Sequence, residues 1–434
     1  MRRRGIPVGS LLAALVCVAS LLAAPGRASA ALPADGSSLD APELSAGPFI
    51  TDEGLVWAGP DGTMLTRPEG SSSVLAPPGP PPPSNGGNVA DFAWFGRAWW
   101  VQALANGVFG GRIGGPLHRL PVPNWCIPGS TGVGSERDGE LFAVSGARLY
   151  VALQPPCFVR RSAPHGVVLT IDLRSGRSHV LAALPGALGY MAAAGRYLAL
   201  AYHPTPKRPT AKPGPVQPSP EPGLAVRVLD TATGKQLGSV SPPAPVGESR
   251  RRDEPSGVQV DERGDVLVTV NCCDTSPGVL AHIAQPYRPP AEWWWAKASA
   301  RVGQPARRGS DPVLSDGRVA YLSQESDWGG HDQIDVTDLR DGFTRTAVSF
   351  RGSASALGLA FSGNGLAWTQ HSTVIDVTFA TLPEGSRTES CVQVALTPVQ
   401  LASLDLRRLP ATPVEVDGVP IPPRYAHEPA CIEA

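Results

Sequence analysis

Leu314-Ser315-Asp316-Gly317-Arg318-Val319-Ala320-Tyr321-Leu322 consists of two short apolar runs folded about a turn. Asp followed by Gly supplies the positive φ that a two-residue hairpin demands. Val319 to Leu322 has the length of a buried strand and is too short for a helix. The same arrangement, a glycine followed by a run of aromatic and β-branched residues, recurs along the chain. Such runs follow Gly54 (Leu55-Val56-Trp57), Gly96 (Ala98-Trp99-Trp100-Val101), Gly146 (Leu149-Tyr150-Val151) and Gly195 (Tyr197-Leu198-Ala199-Leu200). They continue after Gly264 (Val266-Leu267-Val268), Gly317 and Gly365 (Leu366-Ala367-Trp368). The repeat is roughly 50 residues, and its one long interval, Gly195 to Gly264, contains a Pro-rich stretch from His203 to Gly223.

A second hairpin follows most of these runs. Val167–Asp172 turns at Arg174-Ser175-Gly176, Val226–Asp230 at Thr233-Gly234-Lys235, and Ile334–Asp338 at Arg340-Asp341-Gly342. Four strands at this period describe a β-propeller blade. One blade cannot bury both faces, so neighbours must stack around an axis. Asp230-Thr231-Ala232-Thr233-Gly234-Lys235 resembles the outer hairpin of YVTN-type and quinoprotein-like propeller repeats, and Leu314 to Tyr321 resembles the inner hairpin of TolB-type repeats. The resemblance spans roughly residues 48 to 385 and implies an all-β propeller. Seven four-stranded blades are expected, with six or eight possible because the long interval could hide a degenerate unit. Propellers host hydrolases, lyases, dehydrogenases and passive binders, so the fold leaves function open.

Arg2, Arg3 and Arg4 precede an apolar stretch, Leu11 to Ala24, and then Ala28-Ser29-Ala30. This is the form of a secretory signal peptide, residues 1–30, cleaved before Ala31. The apolar stretch is shorter than a membrane span needs. Cys17 follows Val16, where a lipoprotein site would carry a small residue. A leader, 31–47, then precedes the propeller at 48–385, and 386–434 is expected to be a closing strand and a disulfide-tethered tail. The expected location is secreted, extracellular or in the cell envelope. Hydrophobic residues make up 42% of the chain, enough for a packed core, while Gly (48) and Pro (47) argue for many turns. Lys and Arg total 37 against 38 acidic residues, so no basic excess exists to attract nucleic acid. No later segment is long and apolar enough to span a membrane.

Six cysteines follow the signal segment: Cys126, Cys157, Cys272, Cys273, Cys391 and Cys431. An even number in an exported chain implies disulfides. Local separation favours Cys126–Cys157 and Cys391–Cys431, leaving Cys272 and Cys273 as a vicinal pair, with crossed pairing as the alternative. Quinoprotein dehydrogenases are similar in combining a propeller with a vicinal disulfide beside the cofactor. Their repeat places Trp after the Thr-Gly pair, where this chain has Lys235-Gln236-Leu237-Gly238, and no cofactor is expected. The adjacent cysteines lack the Cys-x-x-Cys or Cys/His spacing of a metal site.

Gly-x-Ser-x-Gly is absent, and the eight His residues show no His-x-x-x-His or His-Glu-x-x-His spacing. Asp327, Asp332, Asp335 and Asp338 cluster, but the period of 2 puts Asp332 and Asp335 on different faces. Trp99-Trp100 and Trp293-Trp294-Trp295 are expected to pack between neighbouring blades, and Trp293, Trp294 and Trp295 are the weak candidates for a binding platform. The expected function is an exported, monomeric, non-catalytic binding or scaffold module for an extracellular protein or cell-wall glycan. The alternative is a propeller glycosidase or lyase, or less readily a quinoprotein dehydrogenase, with a site assembled from several blades.

Overall fold

A computed structural model describes residues 38–40, 46–59, 62–67, 71–76, 93–104, 107–122, 142–155, 162–204, 225–241, 254–271, 279–285, 287, 292–293, 308–324, 333–340, 344–351, 354–379, 389–396, 400–405, 413–417 and 430–433. Every regular element among them is a strand, and no helix is long and apolar enough to cross a membrane. After β1 (Ser38–Asp40), sheet 1 contains β2 (Ala46–Thr51), β3 (Gly54–Gly59), β4 (Gly62–Thr66) and β5 (Ser72–Ala76). Sheet 2 contains β6 (Ala93–Phe95), β7 (Trp99–Leu104), β8 (Gly107–Arg112) and β9 (Leu117–Arg119). Sheet 3 contains β10 (Phe142–Ser145), β11 (Arg148–Leu153), β12 (Val167–Asp172) and β13 (Ser178–Ala183). Sheet 4 contains β14 (Gly186–Ala194), β15 (Tyr197–Pro204), β16 (Ala225–Asp230) and β17 (Gln236–Val240). Sheet 5 contains β18 (Glu254–Val260), β19 (Val266–Asn271), β20 (Val279–Ile283) and β21 (Glu292–Trp293). Sheet 6 contains β22 (Arg308–Ser315), β23 (Arg318–Gln324), β24 (Gln333–Asp338) and β25 (Thr344–Arg351).

These six sheets are antiparallel meanders, and each recurring apolar run read from the sequence is a second strand. The remaining strands are β26 (Ala354–Ser362), β27 (Gly365–Phe379), β28 (Glu389–Leu396), β29 (Gln400–Asp405), β30 (Val414–Asp417) and β31 (Ala430–Glu433). They depart from the expected seventh four-stranded blade, and this corrects the count: six sheets have the blade form. β27 is 15 residues long and changes partners along its length. Its first half pairs with β26 and β29, and β1 lies outside β29. Its second half pairs with β28, which pairs in turn with β31. β30 adds to sheet 6 as a parallel edge strand beside β25.

The apolar runs are continuous because both faces of each second strand are buried. Successive side chains on a strand point to opposite faces. Leu149 and Val151 therefore enter a cluster shared with sheet 2, while Tyr150 and Ala152 enter one shared with sheet 4. Ala199 and Ala201 meet sheet 5, while Leu198 and Leu200 meet sheet 3. Trp368 packs toward sheet 6 and Ala367 toward sheet 1. Trp100 packs with Val56 and Leu65 of sheet 1, while Trp99 sides with sheet 3 beneath the guanidinium of Arg174. The first strand of each sheet is innermost, since first strands of adjacent sheets touch: β10 with β14, β14 with β18, and β26 with both β22 and β2.

The turns follow their sequence chemistry. Asp316 and Gly317 both have positive φ, 50° and 70°, as the hairpin reading requires. In the outer turns, Asp172 Oδ1 accepts from the N–H groups of Arg174 and Ser175, and Asp230 Oδ1 accepts from those of Ala232 and Thr233. The bond from the Ser175 N–H leads in holding the Asp172 carboxyl below its ordinary range. At Asp230, burial pushes upward but is outweighed by Arg196 at 2.9 Å and the Thr233 hydrogen bonds.

Gly176 and Gly234 occupy matching places in these two turns, with the same φ of 68°. A Cβ at Gly176 would meet nothing within 4 Å, whereas one at Gly234 would lie 2.2 Å from the carbonyl oxygen of Leu181 in sheet 3. Gly176→Ala is expected to lose about 1 kcal/mol of stability for its backbone conformation alone. Gly234→Ala should lose distinctly more, through the added collision between sheets. Equal urea midpoints for the two variants would contradict this close approach.

Candidate functional site

An up-and-down meander sends its first-to-second and third-to-fourth turns to one end of every sheet, and all other connections to the opposite end. The first end is compact: its connections are tight, the longest being 284–291. Neighbouring turns there are linked. Asp52 N–H donates to Arg97 O at 2.7 Å, Arg318 donates to Gly363 O at 2.6 Å and to Asn364 Oδ1 at 2.9 Å, and Gly363 N–H donates to Ser315 Oγ at 2.8 Å. Arg97 of sheet 2 approaches Glu262 of sheet 5 at 3.8 Å. Sheets so far apart in the ring are not neighbours, so this pair spans the axis.

The second end carries the long connections: 77–92, 120–141, 154–166, 205–224, 241–253, 272–278, 294–307 and 325–332. Several lie partly or wholly outside the described residues, but the described strand ends from which they leave share this face. A hollow of about 310 Å³ opens here, lined by Gln154, Pro155, Pro164, His165 and Ala187. It is positioned by Gln154, at the end of β11, whose Oε1 accepts the Leu188 N–H at 2.8 Å and whose Nε2 donates to Leu188 O at 3.2 Å. This one amide ties sheet 3 to the innermost strand of sheet 4 beside the hollow. Its size is at the lower end for a small-molecule site. Neither Gln154 nor His165 stands out in the sequence, because their proximity to Ala187 requires two sheets to meet.

The innermost strands carry small and apolar residues, such as Gly186 to Ala194 and Phe142-Ala143-Val144. Glu254 and Asp311 are the only acidic residues in β2, β6, β10, β14, β18, β22 and β26, and none contains His. Of the candidates read from the sequence, Trp293 lies in β21 opposite Ala281, and Trp294 and Trp295 lie outside the described residues. Cys126, Cys157, Cys272 and Cys273 also lie outside them, whereas Cys391 and Cys431 are in described strands. Asp327 and Asp332 are outside as well. Asp335 is buried and accepts hydrogen bonds from Gln333 and Thr346, and Asp338 caps its turn through the Arg340 N–H. Among the described residues no group of three His, Cys, Asp or Glu is placed to hold a metal.

The buried carboxyl of Asp261 belongs to the compact end. It accepts the Gly317 N–H of sheet 6 at 2.6 Å and the N–H groups of Arg263 and Asp265 at 3.0 and 2.9 Å. Burial is the foremost influence on it and lifts its pKa above the ordinary carboxylate value.

No family model matches the chain, and no curated protein is similar to it. Solved structures are similar in fold. Oligogalacturonate lyase from Vibrio parahaemolyticus aligns at 8% identity and a TM-score of 0.39, over 84% of this chain and 91% of that one. AztD from Citrobacter koseri aligns at 10% and 0.36, over 91% and 89%. TolB from Acinetobacter baumannii aligns at 9% and 0.30, over 84% and 79%. At these values the fold assignment rests on the chain's own sheets.

Asp261→Ala strands three N–H groups and is expected to destabilise by about 2–3 kcal/mol in urea unfolding. Because the folded-state pKa is raised, the folded chain binds this proton more readily than the unfolded chain. The residue's contribution is therefore fully present below the ordinary carboxylate value and falls as pH rises through the interval above it. Asp261→Asn cannot titrate, so its stability difference from the wild type should change across that interval. A constant difference would show that burial does not perturb this carboxyl.

Proposed function

We propose that the chain is an exported binding or scaffold module whose connection-rich face holds an extracellular protein or a cell-wall glycan. The observation that carries this reading is the asymmetry of the two ends. One is closed by tight, mutually bonded turns and a pair across the axis, while the other gathers the long connections and the hollow beside Gln154. The scarcity of ionisable groups on the innermost strands supports binding over a site assembled at the axis. Cleavage after Ala30 would leave β1 close to the new N-terminus, where it lies outside β29 in the composite sheet formed by β1, β26, β27, β28, β29 and β31. That sheet touches sheets 1 and 6 through β26. The catalytic alternative has its foothold in Glu254 and Asp311, the two carboxylates of the inner strands.

Co-sedimentation with purified cell-wall glycan tests the reading. Replacing 205–224 by a short Gly-Ser linker, or Trp293, Trp294 and Trp295 together by Ala, is expected to weaken binding at least tenfold. Arg97→Ala with Glu262→Ala on the opposite end should leave it unchanged, since an exposed pair contributes little to stability. The reverse pattern would overturn the assignment of the face. A lack of glycan binding, together with secreted-protein capture that the same substitutions abolish, selects the protein partner. Glycan cleavage lost in Glu254→Gln with Asp311→Asn would move the enzyme reading ahead.

A further inference from the structure

The C-terminal strand carries information that the propeller repeat does not. β28 and β31 are antiparallel, and their register sets Cys391 directly opposite Cys431, flanked by Ser390 opposite Ile432 and Val392 opposite Ala430. Directly opposed residues of an antiparallel pair lie on the same face, with Cα atoms about 4.5 or 5.5 Å apart according to the kind of pair. Disulfides form at Cα separations of about 4.4 to 6.8 Å, so either kind suffices. Thr378 of β27 is opposite Cys391, which places the cysteines in one row across three strands. The adjacent row, Val377, Val392 and Ala430, belongs to the other, apolar face.

We infer that Cys391 and Cys431 form a cross-strand disulfide that acts as the clasp of ring closure. The segment between them contains β29 and β30. β29 is sandwiched between β27 and the N-terminal β1, and β30 is the parallel edge of sheet 6. The bond therefore closes a loop around the strands that complete two adjacent sheets. Both strands join by non-local pairing, which carries the entropic cost of loop closure, and a crosslink lowers that cost by restricting the unfolded chain. In forming the bond, the two thiols lose two protons and two electrons to a disulfide oxidant such as glutathione disulfide, which leaves as two thiols. The inference rests on strand register and is independent of any binding partner.

The full chain, refolded with reduced and oxidised glutathione, is alkylated without reduction and digested with trypsin. Cleavage after Arg387, Arg407, Arg408 and Arg424 separates the two cysteines into peptides 388–407 and 425–434. These are expected to be recovered joined, and to separate on reduction. Alkylation of either cysteine, or a link from either to Cys126, Cys157, Cys272 or Cys273, would overturn the pairing. Cys391→Ser with Cys431→Ser is expected to lower the melting temperature by about 5 °C. An unchanged melting temperature would overturn the clasp role. The peptide map is read on the wild-type chain and decides the pairing even where the double variant does not fold.

Discussion

Each second strand must bury two faces at once, and no single sheet can satisfy that demand. Leu149 and Tyr150 are adjacent in the chain yet belong to apolar clusters on opposite sides of sheet 3. Val319 and Ala320 divide in the same way between sheets 5 and 6 and between sheet 6 and the composite sheet. An isolated sheet would expose one of these faces to water, so stability requires a neighbour on each side. A closed ring is the arrangement in which every sheet has two neighbours.

Closure is where the repeat gives way. A ring assembled from one chain has two ends to reconcile, and here the last sheet draws on remote segments. β29 returns from beyond the β27–β28 hairpin, and β1 comes from the N-terminal side of the chain. β27 runs on past its pairing with β26 and β29 and supports β28 and β31. The composite sheet thus does two jobs. It fills the gap between sheets 6 and 1, and it carries a three-stranded extension past the connection-rich end of the ring.

The two ends of the ring diverge for a topological reason. Tight turns join first to second strands near the axis, so their side chains and backbone groups crowd together and satisfy one another. Asp261, Arg318 and Ser315 spend their polar groups on neighbouring turns, and Arg97 pairs with Glu262 across the axis. Such bonds hold the ring in register and leave little for a partner. At the opposite end the connections vary in length without disturbing any sheet, because strand pairing does not depend on them. Variation in shape and chemistry therefore accumulates on that face, where the proposed site lies.

Much of the propeller was legible in the residues. Burial on both faces produces the short apolar runs, positive φ calls for Gly at the turns, and the Asp of the outer hairpins finds its N–H groups within three residues. A closing strand was expected within 386–434, but the individual strands β1, β29, β30 and β31 and their partners were not legible, since they are short and their partners lie far away in the chain. The hollow at Gln154 and His165 needed two sheets to meet, and the Arg97–Glu262 pair needed the ring to close. Separation along the chain suggested joining Cys391 to Cys431, but only strand register sets them opposite each other. The sequence by itself determined the strands, their turns and the stacking around an axis, because each follows from interactions between near neighbours or from a repeated need for burial. Only the tertiary structure decided the closure, the two unlike ends and the hollow beside Gln154, because these depend on which distant residues the ring brings together.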